Sequence, residues 1–290
     1  MADDKEIMRA ISSAVLGSNW VDSWTLKSAE SEKLRAEFGF KDEKSWMVKL
    51  AGIALDLCSA PISSYRVGIV GKEKETGDLL FGGNLEFAGN VLGATVHAEQ
   101  FIFSRAFHRG RSIANFALDK PTPCGHCRQF IMEFEGAKNI RVYNSTLDLR
   151  IGDLLPFNFG PEQLGAKGIV AGWAPPQKLK AKTTNKLEDA ALEAANKSYA
   201  PYSKCYAGVA LKAGKNIIPG SYLENAAFNP SLGPLHSALI NLAAAGLMFK
   251  DINEVVLVAA AGKVDFEASI KALLFEIAPK ASLVVLSAKL

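Results

Sequence analysis

The sequence predicts an α/β protein of layered architecture that carries two copies of one fold behind a small helical N-terminal region. Three observations lead there. Strands alternate with helices through the first half. The chain has 290 residues, enough for more than one core. Finally, segments of the first half recur in the second at an interval near 140 residues. SAPISSYRVGIV at 59–70 resembles YAPYSKCYAGVAL at 199–211, and GGNLEFA at 82–88 resembles GSYLENA at 220–226. VHAEQ at 96–100 falls opposite LHSAL at 235–239, which pairs His97 with His236 and Glu99 with Ala238.

The elements follow in order. The stretch 28–38 opens on Ser28 and is rich in helix formers. Asp42 is a suitable N-cap for a helix reaching toward Cys58, with Trp46, Val48, Leu50, Ile53, Ala54 and Leu57 on its apolar face. RVGIVG, a charged turn and LLFGG read as a β-hairpin. Next come a helix over about 95–108, a strand at 113–118, a helix over about 125–134 and a strand at 140–143. Residues 156–182 are rich in Pro and Gly and read as a connection. The expected division is 1–50, a helical region; 51–155, a first domain; 156–185, a linker; and 186–290, a second domain.

Composition narrows the function classes. Hydrophobic residues make up 49% and charged ones 22%, as in ordinary globular proteins. A net charge of +3 does not predict nucleic acid or an anionic membrane as partner. Arg105, His108, Arg109 and Arg111 form the one small basic cluster, and it reads as a solvated helix end. No apolar run is long enough to span a bilayer, and MADDKEIMRA lacks a secretory apolar region, so a cytoplasmic location is expected. Four cysteines are too few for a disulfide framework; a C-x-x-C pair then suggests metal or redox chemistry.

That pair lies in TPCGHCRQ at 122–129. A catalytic zinc takes three protein ligands and keeps one open position, and His97, Cys124 and Cys127 supply three. Residues three apart in the first turn of a helix reach one ion together. A helix start also favours thiolate over thiol. Glu99 can overhang the open position and carry protons between water and substrate. His126, between the cysteines, is expected to point away from the ion. A redox pair would leave His97 and Glu99 unexplained. H-x-E followed by P-C-x-x-C is the established signature of the zinc deaminases.

With GGNLEF, TVHAEQ, TPCGHCRQF and GSYLENAAFNP, the chain resembles the long, homodimeric form of cytidine deaminase from about Trp46 onward. The resemblance implies a three-layer α/β/α cytidine-deaminase-like fold in two copies, the second degenerate. It implies hydrolysis of cytidine and deoxycytidine to uridine and deoxyuridine plus ammonia, through zinc-bound hydroxide and a Glu99 proton shuttle, in pyrimidine salvage. It also implies one zinc per chain, a homodimer and a free nucleoside as substrate. By the same resemblance Asn84 and Glu86 bind the ribose 3′-hydroxyl. Tyr65 stands where the family more often has Phe and stacks on the base, while the backbone of Ala98 and Thr122 holds its O2 and amine. Ala226, Ala227 and Phe228 are expected to help close the partner subunit's site. In the second copy Ala238 stands for Glu99 and AAGKVDFEAS holds no cysteine, so His236 reads as a core or interface residue.

Overall fold

The computed structural model describes residues 4–15, 20–120, 122–172 and 177–290. The WAPP portion of the expected linker therefore lies outside the described residues. The elements are α1 (Asp4–Val15), β1 (Thr25–Leu26), α2 (Ser28–Glu37), α3 (Glu43–Ile53), β2 (Gly68–Glu73), β3 (Leu79–Gly83), α4 (Ala98–His108), β4 (Ile113–Leu118), α5 (Gly125–Ile131), β5 (Arg141–Tyr143), β6 (Asp148–Arg150) and α6 (Ile151–Leu154). The second half adds α7 (Lys186–Lys197), β7 (Ala207–Ala213), β8 (Asn216–Ser221), α8 (Pro234–Ala244), β9 (Ile252–Ala260), α9 (Glu267–Ile277) and β10 (Ser282–Ala288).

Two mixed sheets form, ordered β1-β3-β2-β4-β5-β6 and β10-β9-β7-β8. Their shared core is the same: a central strand antiparallel to both neighbours, with one parallel pair beyond it. Even the irregularities repeat. The ladder register shifts between Lys72 and Glu73 in one sheet and between Lys212 and Ala213 in the other. Helices cover the sheets by close backbone approach. A Cβ on Gly68 would sit 2.0 Å from the Ala51 carbonyl oxygen of α3, and one on Gly208 would sit 2.1 Å from the Ala195 nitrogen of α7. Gly71, three residues after Gly68, faces Ile102 of α4 on the opposite side of the sheet. This is the layered two-copy fold.

The expected boundary after residue 50 falls inside α3, which matches α7 as the first helix of its copy. Asp42 caps α3 by accepting from the Ser45 N–H at 2.7 Å. The N-terminal region is not wholly helical: β1 pairs with β3 and extends the first sheet. Arg105 explains this docking. It is buried, and its guanidinium donates to the carbonyls of Ser23 (2.6 Å), Trp24 (3.2 Å), Trp20 (3.3 Å) and Phe81 (3.3 Å). Arg109 pairs with the buried Glu73 at 2.6 Å, and His108 Nε2 lies 2.8 Å from Ser237 Oγ of α8. The basic cluster is therefore a packing hub and not a solvated helix end; only Arg111 is exposed. The connection after α6 is also tied down, Ile169 bridging to Phe134 and Lys180 to Lys289.

Candidate active site

Two helix starts converge on one point. His97 is the N-cap of α4, with extended backbone, and its N–H donates to Gln100 Oε1 at 3.0 Å. The preceding residue, Val96, exchanges both backbone hydrogen bonds with Leu85 at 2.9 Å. This short ladder fastens the start of α4 to the Asn84–Glu86 segment. Cys124 is the N-cap of α5 and Cys127 lies in its first turn. Cys124 Sγ is 3.5 Å and Cys127 Sγ 3.3 Å from His97 Nδ1, and the sulfurs are 3.6 Å apart. A tetrahedral zinc with bonds of about 2.3 Å to sulfur and about 2.0 Å to nitrogen has edges of about 3.8 Å and about 3.5 Å. The triangle therefore fits zinc as it stands. Among the described residues, these three form the group of metal-capable side chains. His126 is exposed and outside that group, with Nε2 3.3 Å from Gln100 Nε2.

The electrostatics suit a cation. The hydrogen bond from Cys127, with the nearby His97, holds the Cys124 thiol down to about 3. Burial pushes Cys127 up, and the adjacent Cys124 sulfur raises His97. A bound metal requires all three without their protons, so loading releases protons. Glu99 is buried, and burial raises its carboxyl above the ordinary range.

Beside the triangle opens a cavity of about 480 Å³, lined by Tyr65, Asn84, Glu86, Ala98, Glu99 and Thr122 together with His97 and Cys124. All the expected substrate-contact positions within the first copy thus meet at one cavity. Asn84 and Glu86 also hold its wall. Asn84 Oδ1 accepts from the Val67 N–H and its Nδ2 donates to the Tyr65 carbonyl, both at 2.9 Å. Glu86 Oε2 accepts from the N–H groups of Ile62 and Ser63 at 2.9 Å, and Oε1 accepts from the Ser63 hydroxyl. Burial opposes ionisation of Glu86, but these bonds prevail and lower its pKa.

The sequence reading missed Ser63 and Lys120. Among the described residues, Lys120 is the one basic side chain other than His97 in the lining; its Nζ stands 5.2 Å from the Tyr65 ring centroid and 3.0 Å from Asp119. Only proximity in space reveals it. Ala226, Ala227 and Phe228 lie outside this cavity. Ala226 is buried and donates to Glu133, whereas Phe228 is 62% exposed with a left-handed φ of 62°.

The expected pairing of His236 with His97 is corrected by the fold. Leu223 pairs with Leu232 as Leu85 pairs with Val96. The residue after each ladder caps its helix, His97 for α4 and Gly233 for α8. Gly233 therefore stands for His97, and Leu235 for Glu99. His236 is one turn farther on and packs edge-to-face on Phe87, so it is an interface residue between the copies. The second copy lacks even the histidine.

Residues 41–143 and 151–270 each match the family described as the cytidine and deoxycytidylate deaminase zinc-binding region. A cytidine deaminase of Photorhabdus laumondii is 40% identical over 221 residues, 74% of this chain and 73% of that protein. One from Photobacterium profundum is 42% identical over 214 residues, 73% of this chain and 72% of its own. The solved structure of a Mycobacterium tuberculosis cytidine deaminase aligns with 41% of this chain and 99% of its own, at 25% identity and a TM-score of 0.37. With a His–Cys–Cys triangle that fits zinc, a buried carboxyl beside it, and relatives matched over most of its length, the chain belongs to the cytidine deaminase family.

Proposed function

We propose that this chain hydrolyses cytidine and deoxycytidine to uridine and deoxyuridine, releasing ammonia. One observation carries the reading: Glu99 is buried in the wall of a nucleoside-sized cavity that also holds the metal triangle. Zinc held by His97, Cys124 and Cys127 supplies a Lewis acid that brings water toward ionisation near neutral pH. The side chains do the rest. The Ala98 N–H and the Thr122 carbonyl hold the base edge, and Tyr65 packs against its ring. Asn84 and Glu86, already fixed by the wall they support, receive the 3′-hydroxyl with their remaining donor and acceptor capacity. Glu99 takes the proton from the water that adds at C4 and delivers it to N3. Glu99 then takes the remaining proton from the new C4 hydroxyl and gives it to the amine; as the C4 carbonyl forms, the C4–N bond breaks and ammonia leaves. A carboxyl raised by burial suits a group that both accepts and returns a proton.

The same reading includes a homodimer, one zinc per chain and a cytoplasmic place in pyrimidine salvage. Exposed apolar side chains support the dimer: Phe157 is 98% exposed, Val91 74% and Leu92 73%, and Tyr65 at the cavity is 53% exposed. Phe228, 62% exposed on the second copy, is the side chain this reading assigns to cover a partner's cavity. Among the described residues no helix is long and apolar enough to cross a membrane. The test is incubation with cytidine, following ammonia and the loss of cytidine absorbance, with Glu99→Gln as control. Deamination by the parent and not by the variant is expected. Nucleoside binding without ammonia release by either protein would leave only a binding module.

A further inference from the structure

Glu133 lies just beyond the C-terminal end of α5, the helix that begins at the metal, and plays no part in the chemistry above. It is 1% exposed and meets no cation at ion-pair distance among the described residues. Its partners belong to the second copy. Oε1 accepts from the hydroxyls of Tyr199 (2.7 Å) and Tyr202, and Oε2 accepts from the Ala226 N–H at 2.8 Å. One helical turn earlier, Gln129 grips the same turn. Its carbonyl accepts from Asn225 Nδ2 at 3.1 Å, while its Nε2 donates to the Phe159 carbonyl at 2.6 Å and lies 3.4 Å from Asn225 Oδ1. Asn225 in turn accepts from the Ala227 N–H at 3.0 Å. Gln129 lies in the last turn of α5 and Glu133 two residues past its end, and both meet the 225–227 turn.

We propose that Glu133 and Gln129 are positioning residues through which the second copy sets the orientation of the metal-bearing helix. A helix of seven residues has too few internal hydrogen bonds to hold its own direction. Its N-terminal end carries both thiolates, and α4 carries the imidazole, so a small rotation of α5 breaks the triangle. Arg128 fixes one side, donating to the Pro123 and Leu154 carbonyls at 2.8 and 3.0 Å. The 225–227 turn fixes the other. The copy without ligands thus contributes to catalysis as a clamp, and it acts on the metal before it acts on the substrate.

The proposal rests on the deaminase reading for its kinetic arm only. The test compares Glu133→Gln and Asn225→Ala, which removes the donor to the Gln129 carbonyl, with Asn196→Ala, which breaks a hydrogen-bonded contact of the second copy with Leu179 away from α5. In Glu133→Gln the amide still accepts from a tyrosine but turns a donor toward the Ala226 N–H. Zinc release to a chromogenic chelator is timed for each zinc-loaded protein, and kcat and KM for cytidine are measured. Both clamp variants, Glu133→Gln and Asn225→Ala, are expected to release zinc at least about tenfold faster, with kcat lowered and KM for cytidine little changed. Asn196→Ala, at a similar loss of thermal stability, keeps the parent rate. Equal release rates in all three variants would overturn the proposal, as would loss of stability alone. If the parent protein releases no ammonia, the deaminase reading fails, and the zinc-release times still decide this one.

Discussion

The two copies share a backbone and differ in what fills the pocket. Ser64 and Lys204 occupy the same left-handed turn position, with φ of 57° and 59°. The Ser63 hydroxyl accepts from the Tyr65 N–H, as that of Ser203 does from the Cys205 N–H. Glu86 accepts from two successive N–H groups, and Glu224 does the same with Tyr202 and Ser203 at 2.8 and 3.1 Å. At the chemical positions the copies part. Tyr222 stands for Asn84, Leu235 for Glu99, and Phe266, just before α9, for Cys124. All three are buried, and the Tyr222 and Phe266 rings meet at 4.9 Å in a T-shaped contact. The cavity has become core. The persistence of Glu224 beside these buried rings shows that this carboxylate is first a loop support. In the first copy Glu86 keeps that duty, and a ligand contact would be added to it.

The largest effect expected from this contrast is at Glu99. Glu99→Gln keeps the shape and the metal triangle but removes the proton carrier. The rate of ammonia release should fall by at least about 10², toward 10⁴, with zinc content unchanged by metal analysis. At the equivalent position, Leu235→Gln should leave the turnover of folded protein as it was. A variant at residue 235 that matched the Glu99 loss would break the assignment of roles to the two copies.

The second effect is on stability. Phe266→Ala removes an aromatic side chain from the filled pocket and should cost about 3–5 kcal/mol, read from denaturant unfolding, with little change in the turnover of folded protein. Tyr65→Ala, at the open pocket, should do the reverse, because its ring is already half in solvent. KM should rise while the unfolding midpoint barely moves. A large stability loss at Tyr65 would show that its pocket, too, is core.

Much of this was legible in the sequence because it is local. H-x-E and C-x-x-C carry their geometry in their spacing, and the strands at 113–118 and 140–143 follow from short apolar runs. The repeat at 59–70 and 199–211 set the architecture. What failed was long-range. Matching His236 to His97 by residue identity slipped α8 by three residues, since its register is set by the distant Leu223–Leu232 ladder. Arg105 looked solvated because the carbonyls that surround it come from residues some eighty positions away. The Tyr222–Phe266 contact joins two elements whose proximity no local pattern records.

Acid should expose the contact between the copies. Burial, with Lys197 nearby, lowers His108 to about 3, and burial lowers His236 to about 4. In the unfolded chain both titrate near 6.5. Between those values the unfolded state binds more protons, so stability falls as pH drops from about 6.5. For His108, which is partly exposed, the loss by pH 5.5 is on the order of 1 kcal/mol. His108→Gln should flatten the pH dependence of the unfolding midpoint in this window. An unchanged slope would place the acid response elsewhere.

The smallest effects separate the copies by the chemistry of one cap. Asn185 caps α7 by accepting from the N–H groups of Leu187 and Glu188 at 3.0 Å, and Asn185→Ala should cost about 1 kcal/mol at any pH. Asp42 caps α3 with a charge. Its hydrogen bond from the Ser45 N–H holds its carboxyl below the usual range. A depressed carboxylate stabilises above its unfolded value and loses that contribution as pH falls through the folded one. Asp42→Ala should therefore be destabilising at neutral pH and nearly silent in strong acid, measured by unfolding at both. Because the two helices occupy the same place in their copies, equal pH profiles for the two variants would mean that charge adds nothing to the first cap.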